Sequence, residues 1–140
     1  MKYGGVWGEF SLIVKVGEFS LDVINTLGLD IQVETGIYLS DDSCNHIKKS
    51  HPEAYRYISE IADILASPDY IGYNVRKNTV DFIRADNVRI CVPVRPSSDG
   101  IYFVRSLFKL HKKYFERLKR RDSITPIDKS KTPRYNESDH

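Results

Sequence analysis

A run of alternating apolar and polar residues from Val88 to Arg95 limits what this chain can fold into more than any other feature. One face of the run would carry Val88, Ile90, Val92 and Val94, and the other Arg89, Cys91, Pro93 and Arg95. This period of two predicts a strand that is buried on one side. Pro93 has no backbone N–H, so it predicts a sheet edge or a bulge at that point. The Ser-Ser-Asp-Gly turn at 97–100 then predicts an antiparallel partner strand over residues 101–108.

The rest of the sequence predicts a mixture of helices and further strands. A strand or hairpin is expected over residues 6–19, a short helix between Ser20 and Gly28, and a brief strand over 31–39. Two helices follow, over 42–50 and then up to 66, with a loop over 69–74 and a strand over 79–84. A basic helix is expected over 110–121. This order predicts an α+β fold, in which helices pack mainly on one face of a single sheet.

A cluster of titratable residues precedes the second of those helices, in the segment Cys-Asn-His-Ile-Lys-Lys-Ser-His-Pro-Glu at 44–53. His46 and His51 would lie about 140° apart on a continuous helix and would not share a face. Pro52 disfavours helical dihedrals at His51, so a bend is expected there. Whether the bend brings the two imidazole rings together stays open. Histidine moves protons near neutral pH, and Lys48 and Lys49 would favour a phosphate. A solvated helix face is the alternative.

A metal site is a second interpretation of the same segment. Its ligands would be Asp41, Cys44, His46 and His51. The spacings typical of metal sites, H-x-x-x-H or C-x-x-C, do not occur in the sequence. We therefore predict no metal and no other cofactor.

The strand over 101–108 carries a second set of polar residues. If it were continuous, Tyr102, Val104, Ser106 and Phe108 would share one face, and Ile101, Phe103, Arg105 and Leu107 the other. An arginine and a hydroxyl on neighbouring strands, such as Arg95 and Ser106, could hold a phosphate between them. Ordinary exposed sheet residues are the alternative.

Charge is distributed unevenly along the chain. Residues 1–104 hold 10 basic and 14 acidic side chains, a net of −4, whereas residues 105–140 hold 11 basic and 5 acidic, a net of +6. In the basic helix, Leu110, Tyr114 and Leu118 are predicted to face the core. The basic residues are then left as contacts to a polyanion or as a solubilising surface, namely Lys109, Lys112, Lys113, Arg117, Lys119, Arg120 and Arg121.

The end of the chain has no hydrophobic periodicity. The sequence from Ser123 is polar with two prolines, so we predict one domain over 1–122 and a disordered tail over 123–140. Two cysteines make no disulfide framework, and no long apolar run occurs. A cytoplasmic protein that does not enter a membrane is expected.

Five short runs of the sequence resemble a known group of proteins. They read HIKKSHPEAY, ISEIADILASPDYIG, TVDFIR, ICVPVR and IYFVRSLF. Together, over about residues 31–110, they resemble the phage-associated nucleases of the barnase, EndoU, colicin tRNase and RelE-like group. That group has a helix reading H-I-x-x-x-H-P-E, an N-P-D-Y-I-G-like loop, and three strands that end in a small hydroxyl residue. Ser67 stands in place of the asparagine, and Ser106 stands where threonine is commoner.

The resemblance implies N-terminal helices packed on a twisted antiparallel sheet, and a metal-independent RNA endonuclease. Such enzymes use the ribose 2′-hydroxyl to attack the adjacent phosphate and leave a 2′,3′-cyclic phosphate. His46 and His51 would be the acid and the base, in an order left open, Arg95 would steady the phosphorane, and Ser106 would bind the phosphate. The expected substrate contacts are Lys48, Lys49, Tyr102 and Arg105.

The resemblance also implies a phage or mobile-element origin and a toxin-like role. The expected partners are RNA, with tRNA as one candidate, and an inhibitor or immunity protein. Two other interpretations stay open: a catalytically inert RNA- or protein-binding module on the same fold, and a metal-dependent hydrolase.

Overall fold

The computed structural model of the chain describes residues 12–129. Its helices are α1 (Leu21–Leu27), α2 (Asp41–Ser50), α3 (Pro52–Tyr55), α4 (Ile61–Ala66) and α5 (Lys112–Arg120), with a 3₁₀ turn at Ile58–Glu60. Its strands are β1 (Ile13–Glu18), β2 (Gly36–Ser40), β3 (Tyr70–Asn74), β4 (Thr79–Ala85), β5 (Arg89–Pro96), β6 (Tyr102–Val104), β7 (Phe108–Lys109) and β8 (Thr125–Pro126). No helix within these residues is long and apolar enough to cross a membrane.

The strands form one sheet in the order β1-β2-β6-β5-β4-β3-β8, and β7 also pairs with β5. All of the pairs are antiparallel except β2 with β6, in which Ile37 lies opposite Tyr102 in a parallel ladder. The mixture of helices with a mostly antiparallel sheet confirms the predicted α+β class.

The two faces of the sheet bury different cores. One face packs against α1 to α4, and this main core includes Phe19, Ile37, Ile47, Ile61, Ile64, Phe82, Val92 and Val94. The other face is covered at one end by α5 and the segment after it, through Ile83, Cys91, Leu110, Phe115 and Ile124. The alternation of β5 produces this division, since Ile90, Val92 and Val94 enter the main core while Cys91 enters the smaller cluster.

Serine caps set the beginnings of the first two helices. The Ser20 hydroxyl accepts a hydrogen bond from the Val23 N–H at 3.2 Å, and the Ser40 hydroxyl accepts one from the Ser43 N–H at 3.2 Å. Gly28 ends α1 with a φ of 65°, a left-handed conformation that glycine adopts at little cost. The predicted short helix and the start of the histidine helix are both confirmed.

A β-bulge separates β6 from β7. Val104 lies opposite Val94 and Phe108 lies opposite Cys91, so three residues, 105–107, face two on β5. The Pro93 carbonyl accepts a hydrogen bond from the Arg105 N–H at 2.7 Å, but proline has no N–H with which to complete the pair. Of the sheet edge or bulge predicted at Pro93, the structure shows a bulge, which lies in the partner strand, while β5 is paired on both sides.

The bulge also overturns the predicted continuous strand over 101–108. The extra residue reverses the alternation, so that Val104 and Leu107 both lie in the main core while Ser106 lines the opposite face. The assignment of Val104 and Ser106 to one face is therefore wrong.

Two predicted boundaries are also wrong. Residues 70–74, expected as loop, form β3, in which Ile71 is fully buried. Gly72 lies close to Ser123, since a Cβ added to Gly72 would be only 2.5 Å from the Ser123 carbonyl oxygen. The segment 123–129, expected as tail, holds the buried Ile124 and β8, in which Thr125 pairs with Ile71. The folded unit thus continues past residue 122. Residues 130–140 of the predicted tail and 6–11 of the predicted hairpin lie outside the described residues.

Candidate active site

The bend at the end of α2 brings the two histidines together. The His51 N–H still donates to the Ile47 carbonyl at 2.8 Å, but the residue has left helical geometry, with φ −136° and ψ 59°. Pro52 then begins α3. The imidazole rings of His46 and His51 meet edge to face, with 5.8 Å between their centroids. His46 is exposed, and His51 is half-buried with its ring centroid 5.6 Å from that of Phe108.

The histidine pair lies at a groove of about 950 Å³ on the sheet face opposite the main core. Strands β4 and β5 supply its floor, with Thr79, Asp81, Ile83, Cys91, Pro93 and Arg95. The bulge supplies Arg105 and Ser106, and the β3–β4 turn and α5 supply most of the remaining wall. All four predicted catalytic residues, namely His46, His51, Arg95 and Ser106, therefore line one groove.

The Ser106 hydroxyl is the unusual group among them. Its residue is 7% exposed, and its Oγ has no hydrogen-bond partner among the described residues. Buried hydroxyls almost always have a partner, so an exception calls for a physical reason. Rotation about one single bond, χ1, would redirect this hydroxyl toward a ligand in the groove.

Other predicted contacts lie outside the groove lining. Lys48 and Lys49 are exposed on α2, where the Lys48 ammonium lies 5.7 Å from the ring centroid of Tyr55. Lys112 and Lys113 are exposed in the first turn of α5.

Tyr102 belongs to the other face of the sheet. Its ring packs edge-on against Phe19, with 5.0 Å between centroids, and adjoins the main core. The structure therefore does not bring Tyr102 to the groove that contains the histidines. Because the bulge lies between Tyr102 and Ser106, the two side chains point to opposite faces.

Four further cations line the groove, and sequence reasoning did not select the first two of them. Arg76 and Lys77 come from the β3–β4 turn, and Arg117 and Arg121 come from α5 and its C-terminal cap. With Arg95 and Arg105 they make six exposed cations along the groove, and none of the six forms a salt bridge with an acidic side chain of residues 12–129. Arg117 and Arg121 are four residues apart, so the sequence already indicated that they lie on the same face of the helix.

The predicted core stripe of the basic helix needs a correction. Tyr114 is 42% exposed in the groove wall, with the Arg117 guanidinium 5.8 Å from its ring centroid. Phe115 is buried instead and packs edge-on against Tyr70 at 5.3 Å between centroids. Leu110 is buried and Leu118 is partly buried against the same cluster, so the correction concerns Tyr114 alone.

Asp81 is a further groove residue that sequence reasoning did not select. It projects from the middle of the floor, where its Oδ1 accepts a hydrogen bond from the Thr79 hydroxyl at 2.9 Å. Burial raises the pKa of this carboxyl to about 6, although the Thr79 hydrogen bond and the nearby charge of Lys77 act to lower it. The alternation of β4, with Val80 and Phe82 in the main core, indicated this placement.

The alternative metal cluster is not assembled in the part of the chain that the structure describes. No group of three or more His, Cys, Asp or Glu side chains between residues 12 and 129 is arranged to hold a metal ion. Burial, and next the charge of Asp41, raise the pKa of the Cys44 thiol. This shift works against the thiolate that a metal would bind.

A pair of imidazoles on an arginine-rich groove is the kind of site that suits phosphodiester chemistry. The family model described as phage-Barnase-EndoU-ColicinE5/D-RelE like nuclease 3 matches residues 14–117. The match covers well over half of the 140 residues, and the chain belongs to this family of phage-associated nucleases. No curated protein and no solved structure matches the chain significantly. The predicted family is therefore confirmed.

Proposed function

We propose that the protein is an endoribonuclease that cleaves RNA without a metal ion, by attack of a ribose 2′-hydroxyl on the adjacent phosphate. The observation that carries this proposal is the meeting of two imidazole rings, with 5.8 Å between their centroids, at a groove lined by six exposed cations that form no salt bridge with residues 12–129. A polyanion is the ligand that such a groove attracts, and paired histidines supply proton transfer.

The two histidines would divide the proton transfers. One of His46 and His51 removes the proton of the 2′-hydroxyl, whose oxygen forms a bond to phosphorus. The other donates a proton to the 5′-oxygen as the bond from phosphorus to that oxygen breaks. The products are a 2′,3′-cyclic phosphate and a 5′-hydroxyl. Each proton transfer of this kind contributes roughly 10²- to 10⁴-fold to the rate.

Arg95, Arg105 and Ser106 would hold the reacting phosphate. The bulge presents both Arg105 and Ser106 to the groove, and Arg95 lies near the end of the neighbouring strand β5. A guanidinium binds phosphate oxygens through two parallel hydrogen bonds, which suits the charge that develops on the phosphorane. The Ser106 hydroxyl, which has no hydrogen-bond partner among residues 12–129, would donate to a non-bridging oxygen.

The remaining groove would bind the flanking RNA. Arg117 and Arg121 lie along one wall and can follow the phosphate backbone. Tyr73 and Tyr114, each 42% exposed, offer ring surfaces on which unpaired bases stack. A tRNA substrate, a toxin-like role in the cytoplasm and an inhibitor protein that covers this basic groove are further parts of the proposal.

The test is incubation of the purified protein with total RNA in excess chelator. The wild type should yield discrete fragments, and His46→Ala and His51→Ala should each lower cleavage about 10²-fold or more. His111→Ala is the matched control, since His111 is exposed, lies outside the groove lining and makes no side-chain capping hydrogen bond.

The outcome separates the three interpretations of the sequence. Cleavage that withstands the chelator and needs both groove histidines supports the proposal. Intact RNA with retained binding would instead indicate an inert binding module. Cleavage that returns only when a divalent metal is added would indicate a metal-dependent hydrolase.

A further inference from the structure

Asp81 contributes the one carboxyl among the described residues that line the groove. A negative charge is out of place on a surface that attracts phosphates, and the proposed reaction gives it no role. Its Oδ1 accepts the Thr79 hydroxyl, whereas its Oδ2 accepts no hydrogen bond from the described residues, and it forms no salt bridge with them. A half-buried carboxylate oxygen without a donor is a favourable position for the donor of a ligand.

The sheet register places Asp81 at a defined distance from the bulge. Asp81 lies opposite Pro93, whose carbonyl is bonded to the Arg105 N–H, so these residues form a row across three strands. Neighbouring strands are about 4.8 Å apart, which puts the Asp81 backbone about 10 Å from the bulge. One nucleotide, from phosphate to base edge, can bridge this row. The neighbours of Asp81 across the sheet are Pro93 and Gly72, and neither carries a polar side chain.

We infer that Asp81 binds a nucleobase beside the scissile phosphate and selects guanine. This inference rests on the proposed ribonuclease function and names its base preference. An ionised carboxylate offers acceptors only. The pairing edge of guanine presents two adjacent donors, the N1–H and the 2-amino group, which match the two carboxylate oxygens. The pairing edges of adenine, cytosine and uracil each place an acceptor beside the donor, where it would face a carboxylate oxygen.

The electrostatics of the site agree with this role. With a pKa raised to about 6, Asp81 is mostly ionised at neutral pH and above, which is the form that guanine requires. The second lone pair of Oδ1 stays available while Thr79 donates to the first.

The first test maps cleavage sites in a random-sequence RNA pool. We expect guanine enrichment of about 10-fold or more at one of the two positions that flank the cut, the scale of one bidentate base contact. Asp81→Asn should abolish that enrichment and shift it toward adenine or cytosine, because an amide presents a donor beside an acceptor. Cleavage at the other bases should persist. Asp99→Asn, an equal change of charge in the exposed 97–100 turn, should keep the guanine preference.

The second test does not depend on cleavage. Fully 2′-O-methylated tetranucleotides that differ in one base cannot be cut by the proposed route, and their affinity can be measured by fluorescence anisotropy. The wild type should bind the guanine version about 10-fold more tightly than the others, and Asp81→Asn should not.

The results distinguish a failure of the inference from a failure of the proposed function. Equal use of all four bases, or a guanine preference that survives in Asp81→Asn, would overturn the inference. Loss of cleavage at every base alike in that variant would assign Asp81 to the chemistry instead. If the wild type cuts no RNA, the proposed function fails, and the tetranucleotide affinities still decide the role of Asp81.

Discussion

Ile124 should stabilise the fold even though it lies beyond the boundary that the sequence predicts. Its side chain is 6% exposed and packs with Ile83, Cys91 and Phe115 beneath α5. Ile124→Ala removes three buried carbon atoms, and such a change costs about 2–4 kcal/mol when the space is not refilled. We expect the lower half of that range, about 2–3 kcal/mol, because the cluster is small and adjoins the open groove.

Thermal and urea unfolding of the full chain would measure this loss. A decrease of about 2–3 kcal/mol corresponds to a Tm lower by roughly 6–10 °C for a domain of this size. Ile101→Ala is the matched control, since the same atoms are removed at a position that is 46% exposed. It should change stability by about 0.5 kcal/mol or less. Equal unfolding of the two variants would refute the packing of segment 123–129 against the sheet.

Two further predictions concern the charges of the groove. The pKa of Asp81 is raised from 3.8 to about 6 in the folded protein, so folding favours its neutral form. Below about pH 4 the wild type and Asp81→Asn should therefore have the same free energy of unfolding. As the pH rises to 6, the wild type should become less stable than the variant by about 3 kcal/mol. Urea unfolding at a series of pH values measures this difference. RNA binding should also fall with salt, and Arg117→Ala with Arg121→Ala should flatten the slope of log affinity against log salt by about 1.4, at ~0.7 per phosphate contact. Lys112→Ala with Lys113→Ala, outside the groove lining, should flatten it less, and an equal effect of the two pairs would contradict the placement of the RNA.

Local features of the fold could be predicted because they depend on neighbouring residues. The Ser20 and Ser40 caps act within one helical turn, and the alternation of β5 records which side chains enter the main core. Burial of Cys91 on the other face was not expected, since the strand was predicted to be buried on one side only. The bend before Pro52 was predictable because it, too, depends on neighbouring residues. That the bend joins the rings of His46 and His51 was not, since this depends on the dihedral angles that His51 adopts.

Features that depend on distant strands could not be predicted in this way. The strand β3 was expected as loop, and although it pairs with β4, the next strand along the chain, its other partner β8 lies more than 50 residues later, in what was expected to be tail. Pro93 indicated a bulge, but not that an extra residue in the partner strand would reverse the alternation of side chains after Val104. A continuous strand would have placed Tyr102 and Ser106 on one face, whereas the bulge separates them.

Asp81 had a usable signal in the sequence. It alternates with Val80 and Phe82 in a segment that was predicted as a strand, so its position on the face opposite the main core followed from the pattern. Its importance did not follow, because only the sheet register aligns it with Pro93 and Arg105.

The end groups of the cleaved RNA test the central claim most directly. A short single-stranded RNA is incubated with the protein in excess chelator, beside the same sequence with 2′-deoxy sugars, and the products are identified by mass spectrometry. We predict a 2′,3′-cyclic phosphate on one fragment and a 5′-hydroxyl on the other, with the deoxy strand left intact. Cleavage of the deoxy strand, or a 5′-phosphate on the RNA product, would show that the 2′-hydroxyl is not the nucleophile and would contradict the proposed mechanism.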